Sequence, residues 1–128
     1  MRLLLDTHVL LWTLALPERL SQRARVYLED PANSLSASLV SMWEIAIKRS
    51  VHPESVPIPS GDIPGLCAKA GISLLSVRPQ HIGQVETLPM WHRDPFDRLL
   101  IAQALTEPMY LVTHDDVLAS YGGTIIVV

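Results

Sequence analysis

The sequence has a single cysteine, Cys67, so no intrachain disulfide can form; a chain without such a staple is expected to fold on its core alone, in a reducing compartment. Long apolar runs are missing as well. None approaches the ~18 residues that a bilayer requires, and Met1-Arg2-Leu3-Leu4-Leu5 meets Asp6 too early for a secretory apolar region. These absences predict a cytoplasmic protein with no membrane partner. A basic surplus is also lacking: 10 Lys+Arg against 13 Asp+Glu give a net charge of −3. That balance disfavours a nucleic-acid binder that works by bulk positive charge and does not exclude an enzyme that acts on nucleic acid. Gly and Pro stand at 6 and 10 of 128 residues, beside 48% apolar residues, which excludes collagen-like repeats and disorder. The length suits one self-sufficient domain spanning residues 1–128. Cys67, in an apolar-periodic segment, reads as a small core residue.

The residues present alternate between strand and helix patterns. Leu3-Leu4-Leu5 is a short continuous apolar run, as expected for a strand buried on both faces, and Asp6 stands at its carboxyl end. His8 to Leu16 reads as a helix stopped by Pro17, and Ser21 caps a second that runs to Glu29. Asn33 to Ala37 is the second strand. Leu39, Met42, Trp43, Ala46 and Ile47 are spaced for one helix face. Three prolines between Val51 and Pro59 make that segment a loop. Beyond it come a helix from Asp62 to about Gly71, a strand over 72–77, a helix opened by Pro79 and a helix from Phe96 to about Thr106. Strands over 109–113 and 124–128 enclose a short helix near Asp116 to Tyr121. Strict alternation predicts an α/β fold with a parallel sheet covered by helices on both faces.

In open parallel sheets, ligands bind beyond the carboxyl ends of the strands. Asp6 and Asp115 fall there, while Glu44 and Asp97 lie in early helical turns. Each has a local explanation. Ser41-x-x-Glu44 matches a capping box and Glu44 with Lys48 makes an i,i+4 pair. Asp94 fits an N-cap with Pro95 behind it, which puts Asp97 at N3, and Asp115 can cap a short helix. Asp6 resists such a reading, because a carboxylate following three leucines is partly buried and needs a partner or a metal. If the four converge, two carboxylates ~4 Å apart repel by about 4 kcal/mol at an effective dielectric near 20, so the cluster must protonate, pair or hold a cation. Hard oxygen ligands select Mg²⁺ or Mn²⁺, and such an ion beside a phosphodiester supports hydrolysis.

Four segments together carry a resemblance to a known family: Leu3-Leu4-Leu5-Asp6-Thr7-His8 with Trp12, Ser41-Met42-Trp43-Glu44-Ile45-Ala46-Ile47-Lys48, His92-Arg93-Asp94-Pro95-Phe96-Asp97-Arg98 running into Leu99 to Ala104, and Leu111-Val112-Thr113-His114-Asp115. In order and spacing the chain resembles the PIN-domain ribonucleases, specifically toxins of the VapC type. The resemblance implies a five-stranded parallel sheet with Asp6, Glu44, Asp97 and Asp115 as catalytic, metal-holding acids over its carboxyl edge. It implies Mg²⁺ or Mn²⁺ as cofactor, RNA as substrate, a second copy of the chain as partner, and an antitoxin whose basic side chain reaches the acids. One departure concerns the turn after Lys48. The family usually has a glycine there, and Arg49-Ser50-Val51-His52-Pro53 has none.

Supporting roles fall to Ser41 and Thr113 as hydrogen-bonding partners of the acids, to Asp94 as cap or ligand, and to Asp116 as a competitor of Asp115. Arg93, Arg98, Lys48 and Arg49 are candidate phosphate contacts beside solvated-surface readings. His8, His92 and His114 flank the acids, but no helix carries a paired-histidine motif, which disfavours zinc. Two rivals to the ribonuclease remain. A phosphoacceptor signalling domain would place an acidic pair after the first strand and a lysine after the last, whereas Thr7-His8 follows Asp6 and nothing basic lies after Arg98. A catalytically silent PIN-like binding module would keep the acids as caps.

Overall fold

A computed structural model describes all residues from Met1 to Val128. Five strands, β1 (Arg2–Leu5), β2 (Ser34–Ser38), β3 (Ile72–Leu75), β4 (Tyr110–Thr113) and β5 (Ile125–Val127), form one parallel sheet in the order β3-β2-β1-β4-β5. Six α-helices accompany them: α1 (Thr7–Ala15), α2 (Gln22–Glu29), α3 (Leu39–Val51), α4 (Ile63–Ala70), α5 (Pro79–Val85) and α6 (Pro95–Thr106). The α/β fold with a central five-stranded parallel sheet flanked by helices is the one expected. Side-chain alternation divides β1 between two cores. Leu3 and Leu5 join Val9, Leu10, Ile45, Ile63 and Cys67 on one face, while Leu4 packs with Leu100, Ile101, Ala104 and Leu111 on the other. All three leucines are fully buried, which is why the strand reads as an unbroken apolar run.

Most boundaries fall within two residues of the sequence reading, and the differences have local causes. The strand expected over 72–77 ends at Leu75, level with Ser38, where its neighbour β2 also ends. The segment 116–121 is a 3₁₀ helix, not an α-helix. Asp62 makes no side-chain cap of α4, where Pro64 already removes one of the orphan N–H groups; Gly71, in the left-handed region at φ 73°, closes that helix. The capping box at Ser41 is not formed, because α3 begins earlier than that box requires: Ser38 Oγ accepts from Val40 N–H and is the cap. In place of a glycine turn after Lys48, α3 continues to Val51, and the Arg49 guanidinium donates to the carbonyls of Pro53 and Val56.

Candidate metal centre

The sheet order reverses at β1, whose neighbours are β2 and β4; the crevice of an α/β sheet opens at such a switch point. Asp6 is held there by its backbone and its side chain together. Its N–H extends the ladder to Val112 O (3.0 Å), its Oδ1 accepts from Val9 N–H at 2.8 Å and caps α1, and its Oδ2 accepts from the Thr113 hydroxyl at 2.5 Å. The Thr113 oxygen in turn accepts from Asp115 N–H at 3.0 Å, so one buried hydroxyl ties the two strand-end acids together. Burial pushes the Asp6 carboxyl above its ordinary pKa, against the Thr113 bond, the Val9 N–H and the His8 charge. Asp115 Oδ1 accepts from Val117 N–H at 3.0 Å and caps the 3₁₀ turn.

Two helices supply the other acids. On α3, Glu44 is buried; its Oε1 lies 2.7 Å from the Thr7 hydroxyl and its Oε2 2.6 Å from Lys48 Nζ. Ser41 Oγ lies 2.9 Å from the same Thr7 oxygen, beneath the pocket wall. On α6, Asp94 Oδ1 accepts from Phe96 N–H (2.8 Å) and Asp97 N–H (3.2 Å), which makes Asp94 the N-cap and places Asp97 in the first turn. Asp97 Oδ2 meets His92 Nε2 at 2.8 Å. Burial pushes the Asp97 carboxyl up to about 6; the His92 hydrogen bond opposes, and the Asp94 and Asp6 charges add to the rise.

An open pocket of about 730 Å³ is lined by Asp6, Glu44, Asp94, Asp97, Asp115 and Asp116 together with Lys48, His8, His92 and His114. The tight group within it differs from the expected quartet: the donor atoms of His92, Asp94 and Asp97 lie within 4.8 Å of one another, and no other such group forms. Asp6, Glu44 and Asp115 are each turned onto donors of their own. Five residues from the sequence reading, Ser41, Arg49, Arg93, Arg98 and Thr113, do not line the pocket. Thr113 and Ser41 are buried under the acids, and Arg93 is exposed without a hydrogen bond. Arg98 corrects its expected role as a phosphate contact. It is buried, with its guanidinium on the carbonyls of Val85, Leu88, Pro89 and His92, because α6 turns its side chain towards the preceding loop and away from solvent.

His92 is the residue the sequence reading undervalued. The sequence marks it only as flanking the acids, because a lone histidine in the short Pro89-to-Pro95 connection carries no paired-histidine spacing, although that connection leads straight into the helix that bears Asp97. As a donor set, oxygens of several carboxylates with one imidazole suit a hard divalent cation, and two of the acids carry the raised pKa of crowded, desolvated carboxyls that a cation relieves. The residues present therefore fit a divalent ion.

A family model described as the PIN domain matches residues 3–123. Among solved structures, the chain is similar to VapBC2 from Rickettsia felis, crystallised bound to a DNA fragment from its promoter, with a TM-score of 0.69 and 12% identity over 100% of this chain and 98% of that one. It is also similar to a toxin-antitoxin complex from Klebsiella pneumoniae, with a TM-score of 0.62 and 16% identity over 96% and 94% of the two chains. At these identities the likeness is one of fold. No curated protein matches the sequence.

Proposed function

The chain belongs to the PIN-domain family, and from that premise we propose that it is a metal-dependent endoribonuclease, the toxin of a toxin-antitoxin pair of the VapC type. One observation carries this reading: acids from two strand ends and two helices, Asp6, Asp115, Glu44 and Asp97, line a single pocket at the switch point of the sheet. Asp6, Asp97 and Asp115, with Glu44 completing the set, would hold Mg²⁺ or Mn²⁺, and Asp94 and His92 stand close enough to Asp97 to share that work. When bound, such an ion activates water for attack on the RNA phosphodiester and stabilises the negative charge that grows there.

The chain's own groups prepare the pocket. Thr113 fixes Asp6 and the Asp115 backbone at once. Thr7 and Ser41 fix Glu44 from below. Lys48, half-exposed and paired with Glu44 at 2.6 Å, is the cation on the pocket wall that meets a backbone phosphate. With a net charge of −3, the protein relies on such local contacts and not on a basic surface.

The PIN domain is taken to occupy residues 1–128, in a homodimer held inactive in the cytoplasm by an antitoxin with a basic side chain in the acidic pocket. Two features support the partner: the acids leave room for a cation, and the fold is shared with chains solved in a promoter-bound VapBC2 and in a toxin-antitoxin complex. No helix is long and apolar enough to cross a membrane. The test is cleavage of RNA by the purified chain, free of antitoxin. Activity is expected with Mg²⁺ or Mn²⁺ and none with EDTA, and Asp6→Asn or Asp97→Asn lowers it at least about a hundredfold while each variant stays folded. Full activity in either variant rejects the assignment.

A further inference from the structure

We propose that Arg98 is a positioning residue for this site, acting through the loop that carries His92 onto Asp97; the inference rests on the metal-centre reading above. The segment from α5 to α6 has no strand or helix of its own to satisfy its main chain. Arg98 does that work. Nη1 donates to Pro89 O at 2.9 Å and His92 O at 3.4 Å, and Nη2 to Val85 O at 3.2 Å and Leu88 O at 3.5 Å. Tyr121 joins the same knot: its hydroxyl donates to Pro89 O at 2.8 Å, accepts from His92 N–H at 2.9 Å and lies 3.4 Å from Arg98 Nη1.

Arg98 is only 8% exposed and makes no ion pair with any carboxylate. A buried cation is costly unless its charge and its hydrogens are met, and here main-chain carbonyls meet them. The planar fork is what matters: one arm meets the carbonyls of Val85 and Leu88 and the other those of Pro89 and His92, four acceptors that a lysine ammonium, a single point with three donors, cannot bridge. Arg98 follows Asp97 directly on α6. One turn of helix therefore fixes the acid and anchors the loop whose histidine bonds that acid at 2.8 Å. Partners that orient a metal-holding group typically affect metal affinity by 10–100-fold.

The test compares Arg98→Lys, His92→Ala and the double variant by calorimetric titration with Mn²⁺ and by amide hydrogen exchange over residues 86–93. Arg98→Lys is expected to speed exchange in that segment and to weaken Mn²⁺ binding about tenfold. In the His92→Ala background the same change should add less than about twofold, since both act through one contact. A purely structural arginine would give effects that multiply, and that result overturns the proposal, as does unchanged loop exchange in Arg98→Lys. If Arg98→Lys does not fold, Tyr121→Phe removes one strand of the same knot and is expected to speed exchange around Pro89 and His92; unchanged exchange there rejects the proposal. If the wild-type chain takes up no Mn²⁺, the metal-centre reading fails on its own, and loop exchange still decides whether Arg98 holds the loop.

Discussion

At the scale of single residues, Asp6 shows how one side chain serves fold and site together. Its carboxylate caps α1 and receives the Thr113 hydroxyl, yet burial makes its ionised form costly. Asn keeps an acceptor for Val9 N–H, carries no charge and turns its NH2 to donate to the Thr113 oxygen, so that bond is reversed but kept, whereas Ala loses the cap, at about 1 kcal/mol, and leaves the Thr113 hydroxyl with no partner in its place, at about 1–2 kcal/mol more. Thermal melts should therefore place Asp6→Asn at or above the wild type and Asp6→Ala about 2–3 kcal/mol below it, with cleavage lost in both. An Asp6→Asn variant as unstable as Asp6→Ala would mean that the charge itself holds the strand end. Asp6 was legible from the sequence because three leucines precede it. The roles of His92 and Arg98 were not, since a loop histidine and a buried arginine carry no periodicity, and only the path of the 86–94 connection gives them their partners.

Among the elements, α3 separates local capping from site building. The sequence offers two serines, Ser38 and Ser41, and Ser41 fits the capping-box pattern with Glu44. The strand β2 runs through Ser38, however, so the helix starts at Leu39 and Ser41 is drawn inside it to meet Thr7. Ser38→Ala is expected to cost about 1 kcal/mol of stability and to leave cleavage near the wild-type rate. Ser41→Ala, whose hydroxyl caps nothing, acts on the Thr7–Glu44 contact and should lower cleavage more than stability. Denaturant unfolding beside the RNA assay checks both, and the opposite pattern would return the cap to Ser41. The alternation of elements could be read because the central strands β1 and β4 bury both faces and stand out as short apolar runs between helical spacings. The turn after Lys48 could not, because an arginine reaching Pro53 and Val56 replaces the expected glycine and leaves no local signature.

For the molecule as a whole, alternation gives a parallel sheet but not the order β3-β2-β1-β4-β5, which depends on long-range pairing; that order is what gathers the acids, and gathering them has a cost that pH exposes. Asp97 is raised from 3.8 to about 6, first by burial. The folded chain thus keeps a proton that the unfolded chain releases between those values, so in metal-free protein this contribution falls as pH rises from about 4 to about 6. At about 1.4 kcal/mol per unit, the loss approaches 3 kcal/mol, less some screening, as 22% of the side chain is exposed. A divalent cation competes with the proton and stabilises the folded state by mass action. Millimolar Mg²⁺ or Mn²⁺ should raise Tm by several degrees above pH ~7 and by much less near pH ~5, where the proton holds the carboxyl. In Asp97→Asn both the metal-induced rise and this part of the pH slope should disappear. Melting curves with and without EDTA across that range decide it: a rise of equal size at both pH values, or one that survives in Asp97→Asn, would detach Asp97 from the metal.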